Sequence, residues 1–154
     1  MSAMSDFLEN KLVDFLFRAQ ALGVTGATAA AGTGPANMYI GLLTAAPSDA
    51  GGGTEVSGNN YGRATVVSSL TNWAGTQAAA STTASSGTGG QTSNNAAITF
   101  ATPSGTWGTV THFGIYDAVT GGNLLFWGSL TIAKTINQSD TVTFPAASLT
   151  ITFA

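Results

Sequence analysis

Charge is what this sequence has least of. Only 7% of its 154 residues are Asp, Glu, Lys or Arg, against about 25% in ordinary globular domains. Lys and Arg number four in all and none are clustered. With a net charge of -3 and a pI near 4.6, nucleic acid is excluded as a partner, because a phosphate backbone needs clustered cations to neutralise it. Cysteine is absent, which excludes a disulfide framework, a thiol nucleophile and a Cys-ligated metal. There is one histidine, His112, so no metal site with two imidazole ligands exists. No apolar run approaches the ~18 residues that mark a membrane-crossing helix. The acidic start of the chain lacks the basic n-region of a signal peptide.

The few charges are unevenly placed. Asp6, Glu9, Lys11, Asp14 and Arg18 sit in the first 18 residues, leaving only Asp49, Glu55, Arg63, Asp117, Lys134 and Asp140 for the rest. A free monomer ordinarily keeps itself soluble with a mixed charged surface. A body this neutral is expected either to be solvated by Ser, Thr, Asn and Gly or to be covered by neighbours.

The organisation changes along the chain. "SDFLENKLVDFLFRAQALG" reads as one helix, with Ser5 or Asp6 as cap, acid in the first turn and Gly23 as the stop. Leu8, Leu12, Phe15, Leu16 and Ala19 follow a 3.6-residue spacing. Residues 1–23 are therefore expected to form a helical arm and the small residues 24–37 a flexible linker. From "MYIGLLT" onward the period becomes that of strands, as in "YGRATVVSSL", "AAITFA", "WGTVTHFGIYD", "NLLFWGSLT" and "TVTFPAASLTITFA". Residues 74–95 carry no charge and nothing apolar larger than Ala, so they read as a long Ser/Thr/Gly/Ala-rich surface loop. No helical period separates the strands, which argues against parallel βαβ units. The expected fold is mainly β: an antiparallel β-sandwich or jelly-roll-like body over 38–154, with one N-terminal α-helix.

Chemistry-bearing motifs are few. "THFGIYDAVTGGNLLFWGSL" reads as a hairpin with both faces substantially apolar, Gly121 or Gly122 making the reversal and Asp117 bonding local backbone. His112 lies on a strand, with no G-x-S-x-G elbow anywhere to pair with it. "DAGGGTEVSG" lacks the Lys-Ser/Thr of a phosphate loop. Asp49 and Glu55 match no EF-hand spacing for Ca²⁺. Arg63, at a loop-to-strand junction, is expected to pair with Glu55 or Asp49 and pin that loop. "NNYGR" and "DAVTGGN" place aromatic, Asn and Asp side chains as a carbohydrate reader would want them. No catalytic constellation and no cofactor or metal motif is found, and the chain is expected not to be an enzyme.

"TAAPSDAGGGTEVSG", "WGTVTHFGIYDA" and "TGGNLLFWG" carry a family resemblance. Over residues 38–73 and 94–154 the chain resembles small virion structural proteins of tailed bacteriophages, often labelled phage tail fibre protein. It is also similar to capsid cement, or decoration, proteins of siphophages. The resemblance implies a non-enzymatic virion component made in the bacterial host cytoplasm. Its first expected role is a homotrimeric cement protein that stabilises the shell through the major capsid protein or other virion proteins. The alternative is a tail fibre or baseplate component, or an adaptor, that binds a host receptor or carbohydrate. Interface contacts are expected from Leu8, Leu12, Phe15 and Leu16 on the helix, from Arg63, and from Tyr39, Tyr61, Trp73, Trp107 and Trp127, since aromatics dominate interface hot spots.

Overall fold

The computed structural model describes residues 4–23 and 34–153. Most of the expected linker lies outside the described residues. Among the described residues there is one helix, α1 (Asp6–Arg18), followed by β1 (Asn37–Ala45), β2 (Thr54–Glu55), β3 (Ala64–Val67), β4 (Gln91–Ser93), β5 (Ile98–Thr99), β6 (Gly108–Tyr116), β7 (Leu124–Ile136), β8 (Thr143–Phe144) and β9 (Thr150–Thr152). The chain is mainly β with antiparallel pairing and an N-terminal helix, the β-sandwich-like class expected from its pattern. Among the described residues there are more strands than the six segments that the sequence pattern marks, because two-residue and three-residue strands arise inside the turn-rich segments. The final stretch divides into β8 and β9 on either side of Pro145, which cannot donate to a ladder.

The chain divides into two units, Met1–Asn37 with Val67–Ile98 and Phe144–Ala154, and Met38–Val66 with Thr99–Thr143. In the first unit, Ser5 caps α1 by accepting from the Leu8 N–H at 3.4 Å. The helix stops at Arg18 and not at Gly23. Ala19 takes the left-handed conformation (φ 54°), and the Gln20 N–H bonds back to the Asp14 carbonyl at 3.0 Å. That closing bond satisfies a carbonyl the helix end would otherwise leave open. The face buried most deeply is Glu9, Val13, Asp14, Phe17 and Arg18, one stripe away from the expected one; Leu8, Leu12, Phe15 and Leu16 are half-buried on its flank.

The core of this unit is Val13, Phe17, Trp73, Leu149, Ile151 and Phe153. The Phe17 ring meets Trp73 edge-on at 4.8 Å and Phe153 at 6.4 Å. Two charges join that core. Arg18 is fully buried and bonds Asp14 at 2.6 Å, and it also donates to the carbonyls of Trp73 (3.1 Å) and Thr83 (2.5 Å). Asp14 accepts from the backbone N–H and hydroxyl of Ser85 at 2.9 and 2.6 Å. The Ser/Thr/Ala-rich segment is thus tied to the helix by hydrogen bonds, the one means of anchorage open to a segment with no large apolar side chain. It also contributes β4, which pairs with β9 through Gln91↔Thr152, Thr92↔Ile151 and Ser93↔Thr150.

The second unit is built on a five-stranded sheet ordered β2-β1-β6-β7, with β3 also on β1. Its buried residues include Met38, Ile40, Leu42, Leu43, Val56, Phe100, Trp107, Val110, Ile115 and Ile136. The β1/β6 register pairs Tyr39 with Tyr116, Ile40 with Ile115, Gly41 with Gly114 and Leu43 with His112. The hairpin from β6 to β7 forms as the sequence pattern indicates. Gly121 and Gly122 both hold positive φ (61° and 70°), and Asp117 accepts from the Asn123 N–H and side-chain amide, each at 2.7 Å. β7 runs five residues past its expected end.

Candidate functional site

Four ionisable groups of the second unit, Glu55, Tyr61, Arg63 and Tyr116, converge on one place, and glycine makes the place possible. Gly41 and Gly114 stand directly opposite one another on β1 and β6. A Cβ on Gly41 would come within 2.8 Å of Glu55 Oε1 and 2.9 Å of Tyr116 Cε2; one on Gly114 would meet the Tyr116 ring at 2.8 Å. The paired glycines form a floor on which the Tyr116 ring lies. Glycine inside a strand marks such a close approach. The Arg63 guanidinium then stacks on that ring, 3.4 Å from its centroid.

Arg63 is held on all sides. Its Nε and Nη2 donate to Glu55 Oε1 and Oε2 at 2.8 and 2.7 Å, a bidentate pair. Its Nη1 donates to the carbonyls of Ala118 and Gly121, both at 2.8 Å, which fastens the β6–β7 turn to the 55–63 segment. Glu55 Oε1 also accepts from the Tyr61 hydroxyl at 2.8 Å, and that hydroxyl accepts the Leu42 N–H at 2.9 Å. Burial pushes the Tyr61 phenol far above its ordinary value; the Leu42 bond opposes this and Glu55 reinforces it. Burial also raises Tyr116, with the Glu55 charge adding to it. Burial alone would lower Arg63, but the Glu55 hydrogen bond and charge outweigh it and hold the guanidinium above its usual value.

The "NNYGR" loop is pinned from its other end. Asn59 and Asn60 both adopt positive φ (50° and 64°), which Asn tolerates better than most residues. Their side-chain amides donate to the Thr106 and Thr102 carbonyls at 2.8 and 2.9 Å, and the Trp107 indole N–H donates to the Asn59 carbonyl at 2.9 Å. Tyr61 meets the Trp107 ring edge-on at 5.2 Å. Beside this latch lies an open hollow of about 270 Å³. Its walls come from 55–58, 61–63 and 119–121, so "NNYGR" and "DAVTGGN", which are more than 50 residues apart in the chain, contribute to one surface.

The expected ion pair between Arg63 and Glu55 forms, and Asp49 takes no part in it. The aromatic candidates separate. Trp73 (0% exposed) and Trp107 (5%) are core residues with no surface to offer a partner. Tyr39 and Tyr61 are half-buried, and Trp127 is exposed. His112 bonds the Thr111 hydroxyl at 2.8 Å and lies 6.1 Å from the Trp127 ring. Among the described residues no cluster of three or more His, Asp or Glu is placed to hold a metal. Sequence reasoning missed Tyr116 and the paired glycines. Their signal was present as a glycine in mid-strand in both "MYIGLLT" and "THFGIYD".

The family model described as podophage GP4 fiber I protein gp80 matches residues 3–152, nearly the whole chain. No curated protein matches the sequence.

Proposed function

This chain belongs to the podophage fiber I family, and on that premise we propose that it is a non-enzymatic fibre component that works by holding protein surfaces together within a phage particle. One observation carries the reading. The convergence of ionisable groups around Arg63 binds the chain to itself: Arg63 directs four hydrogen bonds and a ring stack at its own unit. A group so engaged stiffens a loop platform and has no donor arranged around a reacting atom. The family match supports a fibre location. The sparsely charged body supports a capsid cement role, which was the first expectation from the sequence.

Counting copies per particle by quantitative mass spectrometry of purified virions separates the two. A few to a few dozen copies is the expected result and corresponds to a fibre; hundreds would mean a shell component. Partners in this reading are copies of the chain itself and neighbouring virion proteins.

A second reading is favoured by the hollow beside Glu55 and Arg63. Its charges neutralise each other, and Ser57 and Thr120 supply hydroxyls next to the apolar surface of Val119. That combination suits an uncharged, hydroxyl-rich ligand such as a host glycan. A glycan array probed with the intact chain tests it, and no binding above background on any glycan overturns it.

A further inference from the structure

The hollow between the 55–63 stretch and the β6–β7 turn is walled in part by glycine, and one of those glycines has no structural duty. Gly58 and Gly121 hold positive φ (72° and 61°), a conformation that favours glycine. Gly62 does not: its backbone lies outside the left-handed region, and a Cβ on it would meet no atom within 4 Å. Neither backbone strain nor packing therefore calls for glycine at 62. Gly41 and Gly114 differ, since a Cβ on either would collide with the latch. What the missing side chain at 62 does is leave the wall of the hollow bare.

The polar groups around this space are of one kind. Ser57 and Thr120 are exposed, and neither hydroxyl makes a hydrogen bond among the described residues. Glu55 Oε2 accepts one bond, from Arg63, and the Glu55 side chain keeps 26% exposure. A carboxylate oxygen has room for a second donor. Arg63 has engaged four of its five N–H donors with Glu55 and with the Ala118 and Gly121 carbonyls, and its flat face with Tyr116. The hollow thus offers hydroxyls and a carboxylate acceptor, and its cation is already paired.

We propose that the hollow takes a single neutral sugar ring and that Gly62 is the residue that admits it. This rests on the glycan reading above and narrows it to one class of ligand. The volume of about 270 Å³ lies just under the ~300–1,000 Å³ of ordinary ligand pockets, which suits one ring and not an extended chain. The ring's hydroxyls donate to Glu55 Oε2 and share hydrogen bonds with Ser57 and Thr120, while its C–H face lies on Val119, which is 54% exposed. A uronic acid is refused. Its carboxylate would face the Glu55 charge and lose water without a free cation to replace it.

The test uses methyl glycosides of glucose, galactose and mannose, each beside the uronic acid that differs only by a carboxylate in place of the terminal CH₂OH. They are titrated into the intact chain and followed by amide NMR shifts. At least one neutral glycoside is expected to move Ser57, Gly62 and Thr120, and its uronic acid to bind at least tenfold more weakly. Gly62→Leu is expected to keep the urea midpoint and lose at least tenfold in affinity. Gly62→Ala is expected to fold at least as stably as the parent, because alanine reduces the freedom of the unfolded chain. Thr120→Val removes a hydroxyl at nearly constant volume and is expected to weaken binding at least threefold. A uronic acid bound as tightly as its neutral partner overturns the proposal, as does unchanged affinity in Gly62→Leu. Unfolding of both Gly62 variants overturns it too, since glycine would then be structural there. Neutral glycans that still bind Gly62→Leu on the array defeat this inference and leave the glycan reading standing. No binding of any glycan by the parent chain defeats both.

Discussion

Arg63 and Arg18 are two of four cations in the chain, and each is consumed by the fold. Arg63 is nearly covered, with its side chain 8% exposed against 26% for Glu55. Lys in its place keeps the charge but loses the planar fork and the stack on Tyr116. Arg63→Lys should lower unfolding free energy by about 1–3 kcal/mol, read as a reduced urea midpoint, because hydrogen-bonded groups are left unpaired. Tyr61 gives the pH prediction. Its folded-state pKa is raised, so its contribution is complete below the unfolded value near 10.0 and is lost as pH rises above it. Stability should therefore fall with pH above about 10, and Tyr61→Phe should flatten that slope while lowering stability at neutral pH. An unaltered alkaline slope in thermal melts at graded pH would remove Tyr61 as its source. Asp117, held below its ordinary value by the Asn123 bonds, acts at the other end: its contribution is present above the unfolded carboxylate range and is lost as pH falls through the folded value.

Between elements, the decisive contacts are those that let two segments approach. Gly114→Ala puts a methyl against the Tyr116 ring, and overpacking of this kind costs about 1–3 kcal/mol. Combining it with Tyr116→Leu should recover part of that loss, measured as non-additivity in a double-mutant cycle. The helix is joined to the 81–85 stretch by the buried Asp14–Arg18 pair. Arg18→Ala leaves Asp14 buried without its counter-ion, and loss of one partner from a buried pair costs about 3–5 kcal/mol. New limited-proteolysis cuts in the 76–90 stretch should accompany that loss. Uncut protein with an unchanged unfolding midpoint would show that the pair does not hold the segment.

For the molecule as a whole, the scarcity of charge leaves little electrostatic repulsion between copies. Salt should therefore change self-association little, because few of its contacts are ionic. A sedimentation equilibrium constant that moves more than about threefold between 50 and 500 mM NaCl would contradict this.

Much of this was legible beforehand. Strand alternation and the absence of helical period between strands specified a mainly β antiparallel fold, because side-chain period follows directly from backbone geometry. The Gly-Gly hairpin turn of "DAVTGGN" and the Arg63–Glu55 pair were also readable, since turn chemistry and an isolated cation near a carboxylate are local signals. The helix stripe was misjudged for a different reason. Asp14 and Arg18 look like solvated charges by composition, yet together they bury more deeply than Leu8 or Leu12 because each satisfies the other. Trp73, Trp107 and Trp127 were equal candidates in sequence, and only long-range packing separates two core residues from one exposed on an edge. The chain alone thus decides which surfaces it is able to make, through composition and period. Which residues occupy them, which charges vanish inward and which strand is left open depend on contacts between positions far apart, and those exist only once the chain has folded.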